Sequence, residues 1–553
     1  MKRLLLSLTA LMAITSAVAQ NKDNSGSAVA RQLDIFNAVY KELNSFYVDT
    51  LDAQKTIGTA LQALFEQLDP YTDYIPAEEQ SDFMMISTGQ YGGIGSYIQQ
   101  RLRGNTGVYI SGPYKNSPAA RAGLRSGDRI VAIDGVSTKG WTSDSVSRHL
   151  KGQANTRVTI DVVRPYVEDS LLQFTITREN INVTPVPYYG VVNGSLGYIA
   201  LSTFNEHSAA KVREAVLELR KNPAVRGLVL DLRGNGGGVM EGAVQIVGLF
   251  VPKGTTVVTT RGREKASEKI YKTTQPPIDT DIPLAVLIDG GSASASEITA
   301  GALQDLDRAV IIGTRSYGKG LVQSTRPLPY DGLLKLTVSK YYIPSGRLIQ
   351  EVDYSQRNDD GTYQRTVADT LGNVFYTAHR REVRDGGGIT PDIKIDYPEL
   401  NRLVYNIVRD NWAFDYATRY QATHPTLPSP ENFTVTDSIF NDFKRFIDPE
   451  KFEYDKVCEI GLETLKKVAE TEGYMNDSTR AEFARLETLL KHDLNRDLDL
   501  QREAISTILA QELVTRYYFN EGYTQYATRD DKALAEAAKI LTDPKALKKT
   551  LGL

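Results

Sequence analysis

The chain has 553 residues, of which 41% are hydrophobic and 24% charged, and this composition excludes disordered, collagen-like and disulfide-scaffold classes. Such a length predicts roughly three to four domains. The 64 Lys and Arg residues against 68 Asp and Glu residues give a net charge of −4, so no basic excess points to a nucleic-acid partner. With Cys458 as the one cysteine and five scattered histidines, we expect no internal disulfide, no metal and no other cofactor.

Residues 1–19 read as an export signal rather than as structure. A positive start is followed by the apolar stretch 4–14 and then by the small residues 17–19 of a cleavage pattern. The alternative is a retained N-terminal anchor, but the apolar stretch is too short to span a bilayer. We therefore predict a mature chain that begins at Gln20, works in the periplasm and has no integral membrane segment.

The rest of the chain divides into segments that differ in their helical and strand patterns. Apolar runs such as GLVLDL (227–232) and PLAVLI (283–288), each followed by a helical pattern, predict a buried and largely parallel sheet covered by helices. We predict four segments after the signal: a helical region at 20–84, a β-rich domain at 85–183, an αβ core at 184–398 and a helical C-terminal domain at 399–553.

The turn GGSASASEI (290–298) leads from a strand into a helix and is the first candidate for chemistry. The N–H groups at a helix start are unpaired and electropositive, which suits the oxyanion that forms when a serine attacks a carbonyl. The plain alternative is that Ser292, Ser294 or Ser296 caps the helix, with Glu297 supporting its start. Three serines exceed what a cap requires, and the local residues alone do not choose among them.

A serine nucleophile needs a base, and no histidine lies near this turn. Lys319 is flanked by glycines in GTRSYGKGLVQ (313–323), and burial would favour its neutral form, which can accept a proton. Gln323 is the candidate that orients the pair, although an ordinary surface lysine and surface glutamine are the plain alternatives. The same segment fits the start of a phosphate-binding loop, but Gly320 replaces the required Ser or Thr and a β pattern follows, so we reject an NTPase.

A second glycine turn, RGNGGG (233–238), belongs to the same predicted core. Its N–H groups can bind an anion, although a plain glycine turn is the alternative. Together with the serine turn it predicts an oxyanion hole with two backbone donors, for which the N–H groups of Gly237 and Ala295 are the candidates. The sequence leaves open which glycine of the turn donates.

In the β-rich segment, YGGIGSYI (91–98) places glycines directly before a strand. The successive N–H groups of Gly93, Ile94 and Gly95 are predicted to hold a chain-terminal carboxylate, while the strand edge pairs with the bound peptide. A simple hairpin turn is the alternative.

Taken together, these motifs resemble those of the C-terminal processing peptidases, also called tail-specific proteases, of bacterial envelopes and chloroplasts. The resemblance covers residues 30–398 and rests on seven motifs in this order: LDPYT, GGIG, SPAARAGLRSGDRIVAIDG, LVLDLRGNGGG, GSASASEITAGALQDLDRAVIIGTRSYGKGLVQ, KYYIPSGRLIQ and GGGITPD. It implies an α/β multidomain fold: a crotonase-like αβ peptidase core with an inserted PDZ domain, an N-terminal helical segment and an α-helical C-terminal domain. It also implies Ser294 as the nucleophile, Lys319 as the general base and Gln323 as the orienting residue.

We therefore expect an exported serine endopeptidase whose PDZ domain binds the free apolar C-terminus of a protein substrate and which cuts through an acyl-enzyme. One alternative is a PDZ scaffold without activity, which the intact Ser294, Lys319 and Gln323 oppose. Another is a crotonase-fold enzyme for small acyl compounds, which leaves the PDZ segment unexplained. A homodimer, an activating adaptor and the role of residues 399–553 are left open by the sequence.

Overall fold

The computed structural model describes residues 26–168, 170–357, 363–365 and 372–553. The chain forms two compact units, one that ends at Tyr74 and one that runs from Ile75 to Leu553. The predicted export signal, residues 1–19, lies outside the described residues. Within the described ranges, none of the helices is long and apolar enough to cross a membrane.

Two helices and a short strand open the described chain. Helix α1 spans Gly26–Phe46, helix α2 spans Ala53–Glu66 and strand β1 covers Asp73–Ile75. The Asp52 side chain accepts a hydrogen bond of 3.0 Å from the Lys55 N–H and so caps α2. The helical periodicity of this region is therefore divided between two helices.

A β-rich segment follows helix α3 (Gln80–Thr88). Strands β3, β4, β5, β7 and β8 pair in that order as an antiparallel sheet, so β3 is an edge strand, and α5 lies beside it. Side chains such as Ile110, Val146 and Ile160 are fully buried and form its core. The elements are β2 (Gln90–Gly93), β3 (Ser96–Arg101), β4 (Gly107–Pro113), α4 (Pro118–Ala122), β5 (Arg129–Ile133), β6 (Val136–Ser137), α5 (Ser143–Leu150), β7 (Arg157–Val163), β8 (Leu171–Thr177) and β9 (Glu179–Asn182).

Strands and helices then alternate up to residue 313, and a run of strands follows up to residue 394. The elements up to the serine turn are β10 (Tyr188–Val192), β11 (Leu196–Ala200), α6 (Ser208–Leu219), β12 (Gly227–Asp231), α7 (Met240–Val247), β13 (Thr256–Gly262), β14 (Lys269–Lys272) and β15 (Leu284–Ile288). Those after it are α8 (Ala295–Asp305), β16 (Val310–Gly313), β17 (Leu321–Pro327), β18 (Leu333–Tyr342), β19 (Val352–Arg357), β20 (Tyr363–Arg365), β21 (Val374–Tyr376), β22 (Glu382–Arg384) and β23 (Ile393–Lys394).

The central sheet has the strand order β10-β11-β12-β15-β16-β23. Strand β10 runs antiparallel to β11, and the other neighbours are parallel. Every residue of β12 and β15 is buried, which explains why their sequences are apolar without alternation. Helices α7 and α8 pack in the core on one face of this sheet. Strand β18 pairs with β17 and with β13, both antiparallel, and lies close to this core.

Helices make up the rest of the chain. They are α9 (Arg402–Arg409), α10 (Trp412–Thr423), α11 (Asp437–Phe446), α12 (Val457–Thr471), α13 (Asp477–Leu490), α14 (Leu494–Leu500), α15 (Arg502–Ala527), α16 (Lys532–Leu541) and α17 (Pro544–Leu551). The last two pack on the other face of the central sheet, where Leu534 and Ala537 are fully buried beside Val229 and Leu287. The terminal helices therefore share a core with the preceding αβ segment, while the predicted segment bounds themselves stay predictions.

Edge strand β3 contacts the C-terminal helices through one of its faces. The Arg101 guanidinium donates hydrogen bonds of 2.7 and 3.0 Å to the Asp415 carboxylate and lies over the ring of Phe414. Two residues earlier, Gln99 donates a hydrogen bond of 3.3 Å to Asn411. Arg101 is only 7% exposed, so these contacts form a buried junction between the β-rich segment and the helices.

Candidate active site

Ser294 lies in the turn that joins β15 to α8, immediately before the first helical residue, Ala295. Its backbone has φ 56° and ψ −112°, a region that costs a non-glycine residue on the order of 1–3 kcal/mol. Ser292 and Ser296 are fully buried, and their hydroxyls donate to backbone carbonyls at 2.8 Å. Ser294 is half-buried, so the geometry distinguishes the middle serine from its two neighbours.

The serine turn is held firmly against the RGNGGG turn. The Asn235 carbonyl accepts a hydrogen bond of 3.0 Å from the Ala293 N–H and one of 2.8 Å from the Ser296 hydroxyl. In the other direction, the Gly234 N–H donates to the Asp289 carboxylate at 2.8 Å. These hydrogen bonds join the two glycine-rich turns at the carboxyl ends of the neighbouring strands β12 and β15.

The two predicted oxyanion donors both lie beside Ser294. A Cβ atom on Gly237 would lie 2.8 Å from the Ser294 Cβ and 2.9 Å from the Ala295 N, so only glycine fits this approach. The Ala295 N–H is among the first four of α8, which have no acceptor within the helix. The Gly237 N–H, however, donates to the Asn235 side-chain oxygen at 2.9 Å. A role for Gly237 as a donor therefore requires that this bond be given up.

Lys319 lies in the loop between β16 and β17, and its backbone is tied to that of Ser294. The Lys319 N–H donates to Glu297 Oε2 at 2.9 Å, and the Ser294 N–H donates to the same oxygen at 2.8 Å. The Tyr341 hydroxyl lies 2.5 Å from the Lys319 carbonyl and 3.2 Å from that of Ser294. The residues predicted as nucleophile and base thus converge on two shared side chains.

Glu297 is the central electrostatic element of this cluster. Its other oxygen, Oε1, accepts hydrogen bonds of 2.6 Å from the Ser316 hydroxyl and 2.7 Å from the Gly318 N–H. Complete burial raises the pKa of Glu297 to about 7, although these hydrogen bonds oppose the shift. The sequence shows Glu297 only as support for the helix start, whereas the structure shows that it also binds the loop of Lys319.

Gln323 lies in β17, four residues after Lys319. It is opposite Thr337 of β18, and its side-chain amide donates to the Thr337 hydroxyl at 3.1 Å. The contact that the structure records for this amide is therefore across the hairpin.

The predicted carboxylate loop lies between β2 and edge strand β3. Ile94 is buried, and its carbonyl accepts a hydrogen bond of 2.9 Å from the Ala119 N–H. Gly95 has φ +72°, a conformation that favours glycine, and its carbonyl accepts from the Tyr114 N–H at 2.9 Å. Gly93 ends β2, so the three residues form a fixed turn before the strand edge to which a peptide can add.

The described residues contain no group of three or more His, Cys, Asp or Glu side chains that could hold a metal ion. The half-buried serine and the lysine tied to it are instead the groups suited to nucleophilic chemistry. With the αβ sheet and the separate β-rich domain, they are the features that the sequence predicts for a serine-type peptidase with a peptide-binding module.

Comparisons with known proteins identify the class more closely. The sequence matches peptidase family S41 over residues 195–356, a PDZ domain over 109–164 and the C-terminal helical domain of a probable PDZ-protease over 403–541. It is 37% identical over 350 residues to the carboxy-terminal-processing protease of Bartonella bacilliformis, covering 63% of this chain and 78% of that protein. It is 30% identical over 494 residues to a probable CtpA-like serine protease of Staphylococcus aureus, covering 88% of each.

The chain belongs to the carboxy-terminal-processing proteases of peptidase family S41, and it is a serine-type endopeptidase. The predicted α/β multidomain class, with an inserted PDZ domain and a helical C-terminal domain, is confirmed. Among solved structures, the photosystem II D1 C-terminal processing protease is 29% identical with a TM-score of 0.37, covering 65% of this chain and 86% of that one.

Proposed function

We propose that this chain is an exported endopeptidase that recognises the C-terminal tail of a protein substrate and cuts it by a serine–lysine mechanism. The observation that carries the proposal is the convergence of the Ser294 and Lys319 N–H groups on one oxygen of buried Glu297, at 2.8 and 2.9 Å. This shared acceptor holds the two turns side by side, as a nucleophile and its base require.

In the proposed first step, the Ser294 hydroxyl oxygen attacks the scissile carbonyl carbon while its proton moves to the neutral Lys319 amine. The Ala295 N–H stabilises the oxyanion, because it lies at the start of α8 and has no acceptor within the helix. The carbon–nitrogen bond then breaks, the leaving amine takes the proton from Lys319, and an ester to Ser294 remains. Water attacks this ester, gives a proton to Lys319, and the released serine recovers it. Gln323 is proposed to orient the pair.

The substrate would be read at its terminus by the PDZ domain. The N–H groups of Gly93, Ile94 and Gly95 would bind the terminal carboxylate, and the last residues would add as a strand to the edge of β3. The names of the two relatives describe carboxy-terminal processing and serine protease activity, which supports this choice of substrate. The apolar character of the tail is proposed from the family resemblance.

Export to the periplasm is proposed from residues 1–19 alone. N-terminal sequencing of the protein recovered from the cell envelope should begin at Gln20. Recovery of the intact N-terminus from the cytoplasm would contradict the export.

Cleavage of a loosely folded reporter with an apolar C-terminal tail tests the mechanism. Ser294→Ala and Lys319→Ala should each lower kcat/KM by at least about 10²-fold, since each removes a group that takes part in every bond-making step. The matched control is Lys253→Ala, because Lys253 is exposed and lies outside the site. Full activity of Ser294→Ala would overturn the assignment of the nucleophile.

A second reporter with an amidated C-terminus tests the reading of the tail. Amidation removes the carboxylate charge, so kcat/KM should fall while the scissile sequence stays the same. Equal cleavage of both reporters would retain the peptidase and remove the carboxylate-binding role of residues 93–95.

A further inference from the structure

Tyr341 is a buried polar side chain next to the site that the proposed mechanism does not use. It is 1% exposed and belongs to the main core cluster. Its hydroxyl lies 2.5 Å from the Lys319 carbonyl and 3.2 Å from the Ser294 carbonyl. One phenol therefore reaches the main chain of both reacting residues.

Strand pairing explains why Tyr341 reaches this place. Lys340 of β18 is opposite Leu321 of β17, so the next residue, Tyr341, lies beside the loop that carries the base. There the Tyr341 N–H donates to the Gly320 carbonyl at 3.0 Å. Side chains alternate along a strand, so Tyr341 enters the core while Tyr342 points to the other face, where the Arg261 guanidinium lies 4.3 Å from its ring.

The hydroxyl and the Glu297 carboxylate hold the same two residues by opposite groups. Glu297 accepts from the Ser294 and Lys319 N–H groups, whereas the Tyr341 hydroxyl faces their carbonyl oxygens. Ser294 and Lys319 are therefore each contacted at both the N–H and the C=O group, which limits how far the two turns can slide or rotate. The spacing of the two turns is thus set through the main chain.

We propose that Tyr341 is a positioning residue that sets the distance between the nucleophile turn of Ser294 and the base loop of Lys319. The proposal rests on the serine–lysine mechanism proposed above. It predicts that the phenol oxygen matters for the chemical step and not for binding of the peptide. A misplacement of a reacting group by about 1 Å can cost 10²-fold in rate, and this sets the expected size of the effect.

Tyr341→Phe is the sharpest variant, since it removes one hydroxyl and keeps the ring that fills the core. Tyr342→Phe is the matched control, because it makes the same change one residue later on the opposite face of β18. Both are compared with wild type and with Ser294→Ala on the apolar-tailed reporter. The kcat and KM are measured well below the Tm of each protein, and the Tm is recorded.

Tyr341→Phe should lower kcat by about 10- to 100-fold and leave KM within about twofold, because only the spacing of the reacting groups changes. Tyr342→Phe should match wild type in both constants. A loss of kcat that disappears on cooling and follows a large fall in Tm would show a merely structural role and overturn the proposal.

The failure of this inference can be told from failure of the proposed function. If Tyr341→Phe cuts like wild type while Ser294→Ala is inactive, the positioning role is wrong and the serine mechanism stands. If Ser294→Ala cuts like wild type, the mechanism itself is wrong, and the positioning role is lost with it.

Discussion

Glu297 accepts four hydrogen bonds in the core, two of them from the N–H groups of Ser294 and Lys319. In Glu297→Gln, an NH2 group faces donors that need an acceptor, and each buried donor left unpaired costs about 1–3 kcal/mol. We expect kcat/KM to fall by about 10²-fold, because both turns move. The free energy of unfolding, measured with urea, should fall by at least about 1 kcal/mol.

Glu241→Gln is the control for this change. Glu241 is exposed in the first turn of α7, so the same loss of charge there should alter stability by less than about 0.5 kcal/mol. Equal effects of the two substitutions would show that the buried carboxylate has no special role.

The raised pKa of Glu297 predicts opposite pH trends for stability and activity. The pKa of this carboxyl is about 7 in the folded state because of burial, and about 4.3 in an unfolded chain. The folded state therefore binds the proton more tightly, and the stabilisation present at low pH is lost as the pH rises through about 7. Activity should rise over the same pH range, because only the ionised Glu297 carboxylate accepts all four hydrogen bonds. Lys319 and Tyr341 are the other titratable groups that face this cluster.

Urea unfolding of wild type and Glu297→Gln at about pH 5 and about pH 8 checks this trend. On going to the higher pH, wild type should lose stability relative to the variant, which has no carboxyl to titrate there. A constant difference between the two proteins would mean that the pKa of Glu297 is not raised.

At the scale of single residues, the sequence predicted part of the site. The residue types and the family resemblance pointed to Ser294 and Lys319, and the structure brings their backbones onto one carboxylate oxygen. Two contacts were not predicted. The bond from the Lys319 N–H to Glu297 joins residues 22 positions apart, and the contact of the Tyr341 hydroxyl with the Ser294 carbonyl joins residues 47 positions apart. No local pattern reports such pairings. The sequence also could not predict that the Gly237 N–H donates to the Asn235 side chain, because this bond depends on the backbone conformation of the turn.

At the scale of elements, the junction between β3 and α10 yields a prediction about the PDZ domain. Asp415→Ala removes the carboxylate from Arg101, whose guanidinium is buried, although Asp415 itself is 40% exposed. We expect a loss of about 1–3 kcal/mol in the free energy of unfolding, reduced from the fully buried case by that exposure. Hydrogen exchange of the β3 amides should become faster in the variant.

Glu521→Ala is the control for the junction. Glu521 pairs with Lys115 at 2.7 Å across the same two segments, but both side chains are largely exposed. Such a pair contributes at most about 1 kcal/mol, so exchange in β3 should not change. If both variants speed exchange equally, the junction does not depend on the buried pair.

Elements were predicted well where a local rule applied. The apolar runs that became β12 and β15 are strands buried on both faces, for which the lack of alternation is a direct physical signature. In the predicted helical domain, residues 482–519 carry one charged helical pattern, but the structure divides them among three helices. Helix α14 begins after one of these breaks, and the Asp493 side chain caps it by accepting from the Arg496 N–H at 2.9 Å.

At the scale of the whole molecule, the last two helices connect the C-terminal region to the candidate site. Asp531 caps α16 by accepting from the Ala533 and Leu534 N–H groups, and it also accepts a hydrogen bond of 2.6 Å from the Arg233 guanidinium. Arg233 opens the RGNGGG turn. The C-terminal helices thus help to hold the turn that packs against Ser294, the proposed nucleophile.

Two substitutions separate these roles of Asp531. Asn is as good a helix cap as Asp, so Asp531→Asn loses only the ion pair, whereas Asp531→Ala loses the cap as well and should be about 1 kcal/mol less stable than the Asn variant. The control is Asp543, which caps α17 through the Lys545 N–H and is exposed. There Asn should match wild type. Equal stability of wild type and Asp531→Asn in urea would show that the pair with Arg233 contributes nothing.

The sequence could not show which surface these helices cover. Leu534, Ala537 and Leu541 are buried in α16 and follow the apolar spacing of one helix face. A stripe does not name its partner, which here is the far face of a sheet whose strands β12 and β15 lie more than 200 residues earlier in the chain. From the helical pattern of the sequence alone, α16 and α17 were therefore assigned to a helical domain, although their core is shared with the αβ segment.

Strand β3 has two faces with different tasks, and this limits how the protease can be retargeted by grafting. Gln99 and Arg101 face the C-terminal helices, while Ile98 packs in the PDZ core and the Gln100 side chain accepts from the Ser143 N–H at the start of α5. A foreign PDZ domain that replaced this one completely would lack Gln99 and Arg101, the β3 residues that bind the C-terminal helices. An engineer who wishes to change the proposed tail preference should instead exchange alternate positions of β3 and leave Gln99 and Arg101 as they are.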